Sequence, residues 1–305
     1  MVFIGMDVGG TTARLRMCDA KGNTLFEGEG KGGTLAGIGR CPLTERFREL
    51  FERAFRATGT TAADVARLAL GASGVDTPQI RDEYETMLME LGFQKNRLLV
   101  VNDGELLLKM LEGPGIVLIS GTGSIALGTK GDGTVYRCGG WEHLLSDKGS
   151  GTDLGMQLLR GYVEAKDGMV DAPLLIQETE WVLGFSQAQD AVDYAAEHIM
   201  EKADIGALAQ VLETARALGD EHACHIMTAC AQSLAFLVTS LLRKMEMTEE
   251  KVSVLFWGSV LLRNRFMQEY VSAQLASDRI RIVIPDFTAL DAAITLALGD
   301  RRFGI

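Results

Sequence analysis

Proline is scarce in this chain: 5 of 305 residues, against a usual share of roughly 5%. Cysteine is equally sparse. Cys18, Cys41, Cys138, Cys224 and Cys230 are an odd number with no C-x-x-C pair, which argues against a disulfide framework and a zinc finger and for scattered reduced thiols. Basic residues are in deficit, 30 Lys and Arg against 41 Asp and Glu, for a net charge of −11. A nucleic-acid or anionic-membrane surface needs clustered cations, so neither partner is expected. The opening MVFIGMDVGG has no basic segment and breaks at Gly-Gly, so no signal peptide is expected. The most membrane-like stretch, residues 225–242, carries Thr228, Gln232, Ser233 and Thr239 and reads as a buried helix. These absences lead to the expectation of a soluble, cytoplasmic protein.

Glycine, by contrast, is in excess, at 35 residues. Abundant Gly without Pro is neither linker nor collagen. It points to a folded chain whose backbone adopts positive φ or approaches something closely.

Residues 2–7 form an apolar run ending in Asp7, followed by Gly9-Gly10-Thr11-Thr12, an alternating stretch at 14–18, a turn at 19–23 and a further strand at 24–28. This reads as a strand–hairpin–strand–turn–strand meander. Pro42 opens a helix with Leu43, Phe47, Leu50, Phe51, Ala54 and Phe55 at helical spacing. A strand at 68–72 ends in Ser73-Gly74, and another at 98–101 leads to Asn102-Asp103 and a helix over 105–111. After Gly113-Pro114-Gly115 the pattern restarts, with strands at 116–120, 125–129 and 134–138 around Gly121-Thr122-Gly123-Ser124. Residues 2–29 and 116–138 therefore look like two copies of one unit. Residues 153–245 are helical in pattern. A strand at 252–256 ends in Trp257-Gly258-Ser259, a helix runs to about 275, and a strand at 280–284 and a helix over 288–298 close the chain. Strands alternating with helices indicate an α/β fold in two halves.

The chemistry concentrates in the hairpins. Consecutive backbone N–H groups in a Gly-rich turn hold phosphate oxygens, and flanking Thr hydroxyls add donors. Asp7, at the end of the preceding strand, suits Mg²⁺ held through water. Alone, Gly9-Gly10 is equally a tight turn. Two Gly/Thr hairpins, one per half, point to a polyphosphate.

D-x-G-G-T-x-x-R near the start, Asn102-Asp103 after a middle strand, S-G-T-G-S at 120–124 and the small-residue turn at 257–259 resemble the actin/hexokinase/Hsp70 ATPase superfamily. Within it, Gly121-Thr122-Gly123-Ser124 followed by Gly139-Gly140-Trp141 and by Asp147-Lys148-Gly149-Ser150-Gly151 resembles the N-acetylglucosamine kinase and BadF/BadG/BcrA/BcrD-type ATPase family. The resemblance implies two ribonuclease H-like domains with a cleft between them and a helical insertion in the second. The first would comprise 1–112 plus about 288–305, and the second 113–287 with the helical region 153–245. It implies ATP-dependent phosphorylation of a sugar hydroxyl, with ATP and Mg²⁺ as cofactors, an amino sugar (N-acetylglucosamine or glucosamine) as acceptor, and a homodimer.

Carried over by position, Gly9, Gly10, Thr11 and Thr12 match the first phosphate loop, with Asp7 as the Mg²⁺-linked carboxylate, and Gly121, Thr122 and Gly123 match the second. Gly258 and Ser259 match the adenosine turn. Asp103 matches the general base, although by itself it also reads as a helix N-cap. Ser73, Gly74, Asn102, Ser124, Gly140, Trp141 and Asp147 match the sugar side, where Trp141 either stacks on the sugar or is buried. Departures fall on that side too. Gly32-Gly33-Thr34-Leu35 and Ile125 stand where the family carries Asn, and Lys148 stands where it carries Glu. His143, His222 and His225 have no metal-ligand partners in the sequence and read as structural. Two other classes compete with a kinase: an ATPase that activates a redox partner through an iron–sulfur cluster, and a non-catalytic sugar sensor. The first needs dedicated Cys ligands, which no motif here provides. The second usually adds a helix-turn-helix, and none is expected.

Overall fold

Val2, Ile4, Met6 and Val8 are all buried, because the strand that carries them, β1 (Val2–Val8), lies at the centre of a five-stranded sheet. A central strand covered on both faces reads as a nearly continuous apolar run. In the computed structural model, which describes residues 1–299, β1 pairs antiparallel with β2 (Thr12–Cys18), and β2 pairs antiparallel with β3 (Thr24–Lys31). Two helices follow, α1 (Leu35–Ile38) and α2 (Arg40–Thr58). Then β4 (Val65–Ala72) returns parallel to β1, and β5 (Leu98–Asn102) parallel to β4, with α3 (Pro78–Glu90) between them and α4 (Asp103–Leu108) after them.

The second sheet repeats this plan. Strands β6 (Gly115–Ser120), β7 (Ser124–Thr129) and β8 (Tyr136–Gly139) form an antiparallel meander. Six helices follow: α5 (Gly151–Lys166), α6 (Pro173–Leu183), α7 (Ala188–His198), α8 (Lys202–Ala207), α9 (Ala209–Ala217) and α10 (Glu221–Lys244). Strand β9 (Val252–Trp257) then pairs parallel with β6. Helices α11 (Ser259–Arg263) and α12 (Arg265–Leu275) precede β10 (Ile280–Val283), which is parallel to β9. The orders β3-β2-β1-β4-β5 and β8-β7-β6-β9-β10 are one topology used twice. The expected α/β fold of two like halves, with a helical insertion in the second, is the observed one. The last helix, α13 (Ala289–Leu298), packs on β1. Gly5 permits this: a Cβ there would stand 2.7 Å from Ile294 Cα.

The chain divides into a unit of residues 1–112 with the stretch from Asp286, and a unit of residues 113–285. Of the C-terminal segment assigned to the first lobe, residues 300–305 lie outside the described residues. The first unit's core gathers Ile4, Met6, Leu15, Phe47, Leu50, Leu70 and Tyr84. The second unit's core gathers Leu118, Leu158, Leu212, Leu234, Val238 and Phe256. Among the described residues, one helix, α10, is long and apolar enough to cross a membrane. Its Met227, Leu234, Val238 and Leu241 are fully buried in that core, as its polar interruptions led us to expect.

Three of the boundaries that differ from the sequence reading have a clear local reason. Helix α2 starts at Arg40, ahead of Pro42, since a first-turn Pro gives up only an N–H that has no helical partner anyway. Helix α4 starts at Asp103 rather than 105, because Asn102 caps it. The single helix expected before residue 275 breaks at Asn264, whose side chain accepts from Met267 N at 3.0 Å and starts α12 afresh.

Candidate active site

The β1–β2 hairpin uses its carbonyls and leaves two adjacent amides open. Gly9 N donates to Thr12 O at 2.9 Å, Gly32 N to Thr11 O at 2.8 Å and Gly33 N to Gly9 O at 2.9 Å. Among the described residues, the N–H groups of Gly10 and Thr11 make no backbone hydrogen bond. Two adjacent open amides are an anion-binding nest.

The same end of the sheet collects three carboxylates. Parallel pairing sets Asp7 beside Gly71 and Ala72 beside Asn102, so the C-terminal ends of β1, β4 and β5 align, the edge at which α/β proteins bind ligands. Ser73 N donates to Val8 O at 3.0 Å, and Gly74 turns the chain at φ 83°. Asn102 works at both ends of its amide: Oδ1 accepts from Gly104 N at 2.8 Å, and Nδ2 donates to Asp76 Oδ1 at 3.0 Å. Asn102 is therefore the cap of α4, which removes the capping alternative for Asp103. Asp103 is the first helical residue, and its Oδ1 accepts from Gly104 N at 2.9 Å. Burial, reinforced by the charges of Asp7 and Asp76, pushes its carboxyl up to about 6. Burial also raises Asp7, with Arg14 opposing. A carboxylate titrating near neutrality is suited to accepting and releasing a proton.

In the second unit the β6–β7 hairpin is built alike. Gly121 N donates to Gly123 O at 3.0 Å. The start of α5 occupies the hairpin's carbonyls, with Gly151 N on Gly121 O at 2.7 Å and Thr152 Oγ1 on Thr122 O at 2.8 Å. The amides of Thr122 and Gly123 make no backbone hydrogen bond among the described residues. Ser120 Oγ donates to Gly149 O, and the buried Ser124 donates through Oγ to Lys148 O, each at 2.8 Å. The Gly258–Ser259 turn presses on this hairpin: Gly258 has φ 90°, and a Cβ there would stand 2.8 Å from Gly121 N. The structure thus brings Gly121, Thr122, Gly123, Gly258 and Ser259 together.

The loop after β8 carries the remaining candidates. Gly140 is left-handed at φ 72°. Trp141 is 63% exposed, with the Arg137 guanidinium 4.1 Å from its ring centroid, which removes the buried-Trp alternative. Glu142 pairs with Lys202, and His143 Nε2 sits 2.8 Å from Ile199 O, so His143 fastens the loop to the helical region. Asp147 is only 5% exposed, left-handed at φ 56°, and its Oδ1 has no hydrogen-bond partner. Burial pushes its carboxyl up, with Lys202 opposing. A buried, unpaired oxygen is costly unless a ligand uses it. The Lys148 side chain is exposed.

Sequence reasoning missed Asp76, Lys202 and the Gly32–Gly33 contact with the first hairpin. The two glycines were visible, but only as a departure from a family pattern. Asp76 and Lys202 had no motif around them. All five cysteines are free, and among the described residues no group of three or more His, Cys, Asp and Glu is arranged to hold a metal ion.

The chain is similar along most of its length to several known proteins. An N-acetylmuramic acid/N-acetylglucosamine kinase of Clostridium acetobutylicum is 25% identical over 85% of this chain and 85% of its own. An N-acetyl-D-glucosamine kinase of Dictyostelium discoideum is 28% identical over 90% and 92%. Among solved structures, a Chromobacterium violaceum protein described as a candidate N-acetylglucosamine kinase superposes with a TM-score of 0.72 at 25% identity, covering 97% of this chain and 98% of that one. The model of the BadF/BadG/BcrA/BcrD ATPase family matches residues 4–294, and the chain belongs to that family.

Proposed function

We propose that the protein transfers the γ-phosphoryl group of ATP to a hydroxyl of an amino sugar, N-acetylglucosamine or glucosamine. The observation that carries the reading is Asp103, a carboxylate at the C-terminal edge of the first sheet, raised to about 6 by burial with Asp7 and Asp76 reinforcing it, in a unit that also holds the open Gly10 and Thr11 amides. The relatives named as kinases of such sugars support it.

In this reading the Gly10 and Thr11 amides and those of Thr122 and Gly123 receive phosphate oxygens, with Gly9, Thr12 and Gly121 shaping the turns. Gly258 and Ser259 receive the adenosine. Mg²⁺ fits the residues present: Asp7 and Asp103 are crowded carboxylates whose repulsion a cation relieves. Asp7 would hold it through water, and the ion would screen charge on the phosphates. Asp103 takes the proton of the acceptor hydroxyl as that oxygen bonds to the γ-phosphorus and the bond to the departing ADP oxygen breaks. Asp147 accepts a hydrogen bond from the sugar; Ser73, Gly74 and Asn102 of the first unit, and Ser124, Gly140 and Trp141 of the second, are the further acceptor-side candidates, each within its own unit. Asn102 contributes by holding the start of α4, and Ser124 by holding the Asp147 loop. A homodimer acting in the cytoplasm completes the proposal.

The test is an ADP-release screen over amino sugars, neutral sugars and sugar acids, with iron measured in the same preparation. Stimulation by an amino sugar is expected. No stimulation by any sugar, together with stoichiometric iron, would favour the redox-activator class instead.

A further inference from the structure

The first hairpin does not stand by its own turn alone. Gly32 and Gly33, both buried, lie across it and donate to Thr11 O and Gly9 O. The approach is close enough that a Cβ on Gly32 would overlap the Gly9 carbonyl and stand 2.5 Å from Thr12 N. From α2, Arg46 donates through Nη1 to Gly32 O. This is the only hydrogen bond or ion pair Arg46 makes among the described residues, so its charge is spent on a backbone carbonyl.

The peptide connectivity gives that contact a direction. Gly32 O and Gly33 N–H belong to one peptide unit, and Gly33 N–H holds Gly9 O. Gly9 O and Gly10 N–H belong to the next unit in the chain of contacts, and Gly10 N–H is one of the two open amides. In a trans peptide the C=O and N–H point in opposite directions, and no cis peptide occurs among the described residues. Fixing Gly9 O toward the Gly32–Gly33 strap therefore directs Gly10 N–H away from it. Hydrogen bonds in series also polarise one another, and a charged donor at the head of the series strengthens the effect.

We propose that Arg46 is a positioning residue for phosphate: through two peptide units it orients and polarises the Gly10 amide. The inference rests on the reading that this hairpin receives nucleotide phosphate.

Calorimetry on the full-length protein, with no acceptor present, tests it by comparing a magnesium-loaded non-hydrolysable ATP analogue with adenosine. Arg46→Met is expected to weaken the analogue about tenfold, in line with loss of a charged hydrogen bond, and to leave adenosine unchanged. Arg46→Lys, which restores a charged donor, is expected to recover affinity to within about threefold. Should Arg46→Met not fold, Arg46→Gln carries the same comparison with loss in the same direction. Unchanged analogue affinity in a folded variant, or equal losses for analogue and adenosine, would overturn the inference. If the wild-type protein itself fails to bind the analogue, the nucleotide reading falls instead.

Discussion

Replacing Asp103 by Asn should make the protein more stable and inactive at once. Its carboxyl titrates at about 6 against an ordinary 3.8. Each pKa unit is worth about 1.4 kcal/mol, so the ionised group costs the folded state at most about 3 kcal/mol. Part of its surface still meets solvent, which makes this an upper bound. The sign follows from the raised value. Below the unfolded pKa the carboxyl is protonated in both states and costs nothing. The penalty grows as pH rises through the interval and is complete above about 6. Asn has almost the same shape, retains an oxygen for Gly104 N and never ionises. Urea unfolding of wild type and Asp103→Asn at pH 5 and pH 8 should therefore show a stabilisation that is larger at pH 8. Sugar-dependent ADP release in the variant should fall by at least about a hundredfold, the lower end of what a general base contributes, while ATP binding persists. A variant that turns over like wild type would remove Asp103 from its role. One that is less stable at pH 8, or whose stability difference ignores pH, would refute the electrostatic account of its environment.

Other consequences are independent of that one. Asp147→Ala should raise the KM for the sugar about tenfold while leaving the ATP-analogue Kd alone, because it removes the buried Oδ1 that is free to accept from the sugar; an unchanged sugar KM would exclude that contact. Gly258→Ala should lose about 1–3 kcal/mol in urea unfolding and weaken nucleotide binding, since φ 90° disfavours a side chain and the new Cβ meets the Ser120–Gly121 backbone; wild-type values for both would contradict the packing described. Thr288→Ala should cost about 1 kcal/mol, because Thr288 and Asp291 cap α13 reciprocally, with Thr288 N on Asp291 Oδ2 at 2.8 Å and Asp291 N on Thr288 Oγ1 at 3.2 Å. A denaturation midpoint equal to wild type would show that the cap adds nothing.

The surplus of glycine and the shortage of proline already pointed to backbone contacts, and local pattern was enough to place most elements. Apolar runs, Gly/Thr turns and helical spacing act over a few neighbours, so both meanders and the long insertion of helices were readable from residues alone. So were the two hairpins and Asp103, because the residues that form each lie side by side in the chain. Tertiary structure decided everything that depends on partners distant in sequence. It assigned the cap of α4 to Asn102 and made Asp103 the first residue of the helix. It raised the Asp103 carboxyl by burial, reinforced by Asp7 on β1 and Asp76 in the loop after β4. It exposed Trp141, buried Asp147, and laid Gly32 and Gly33 over residues 9–12. The reason is physical: a turn is set by the dihedral preferences of the residues in it, whereas burial, charge neighbours and close backbone approach exist only after the strands have paired.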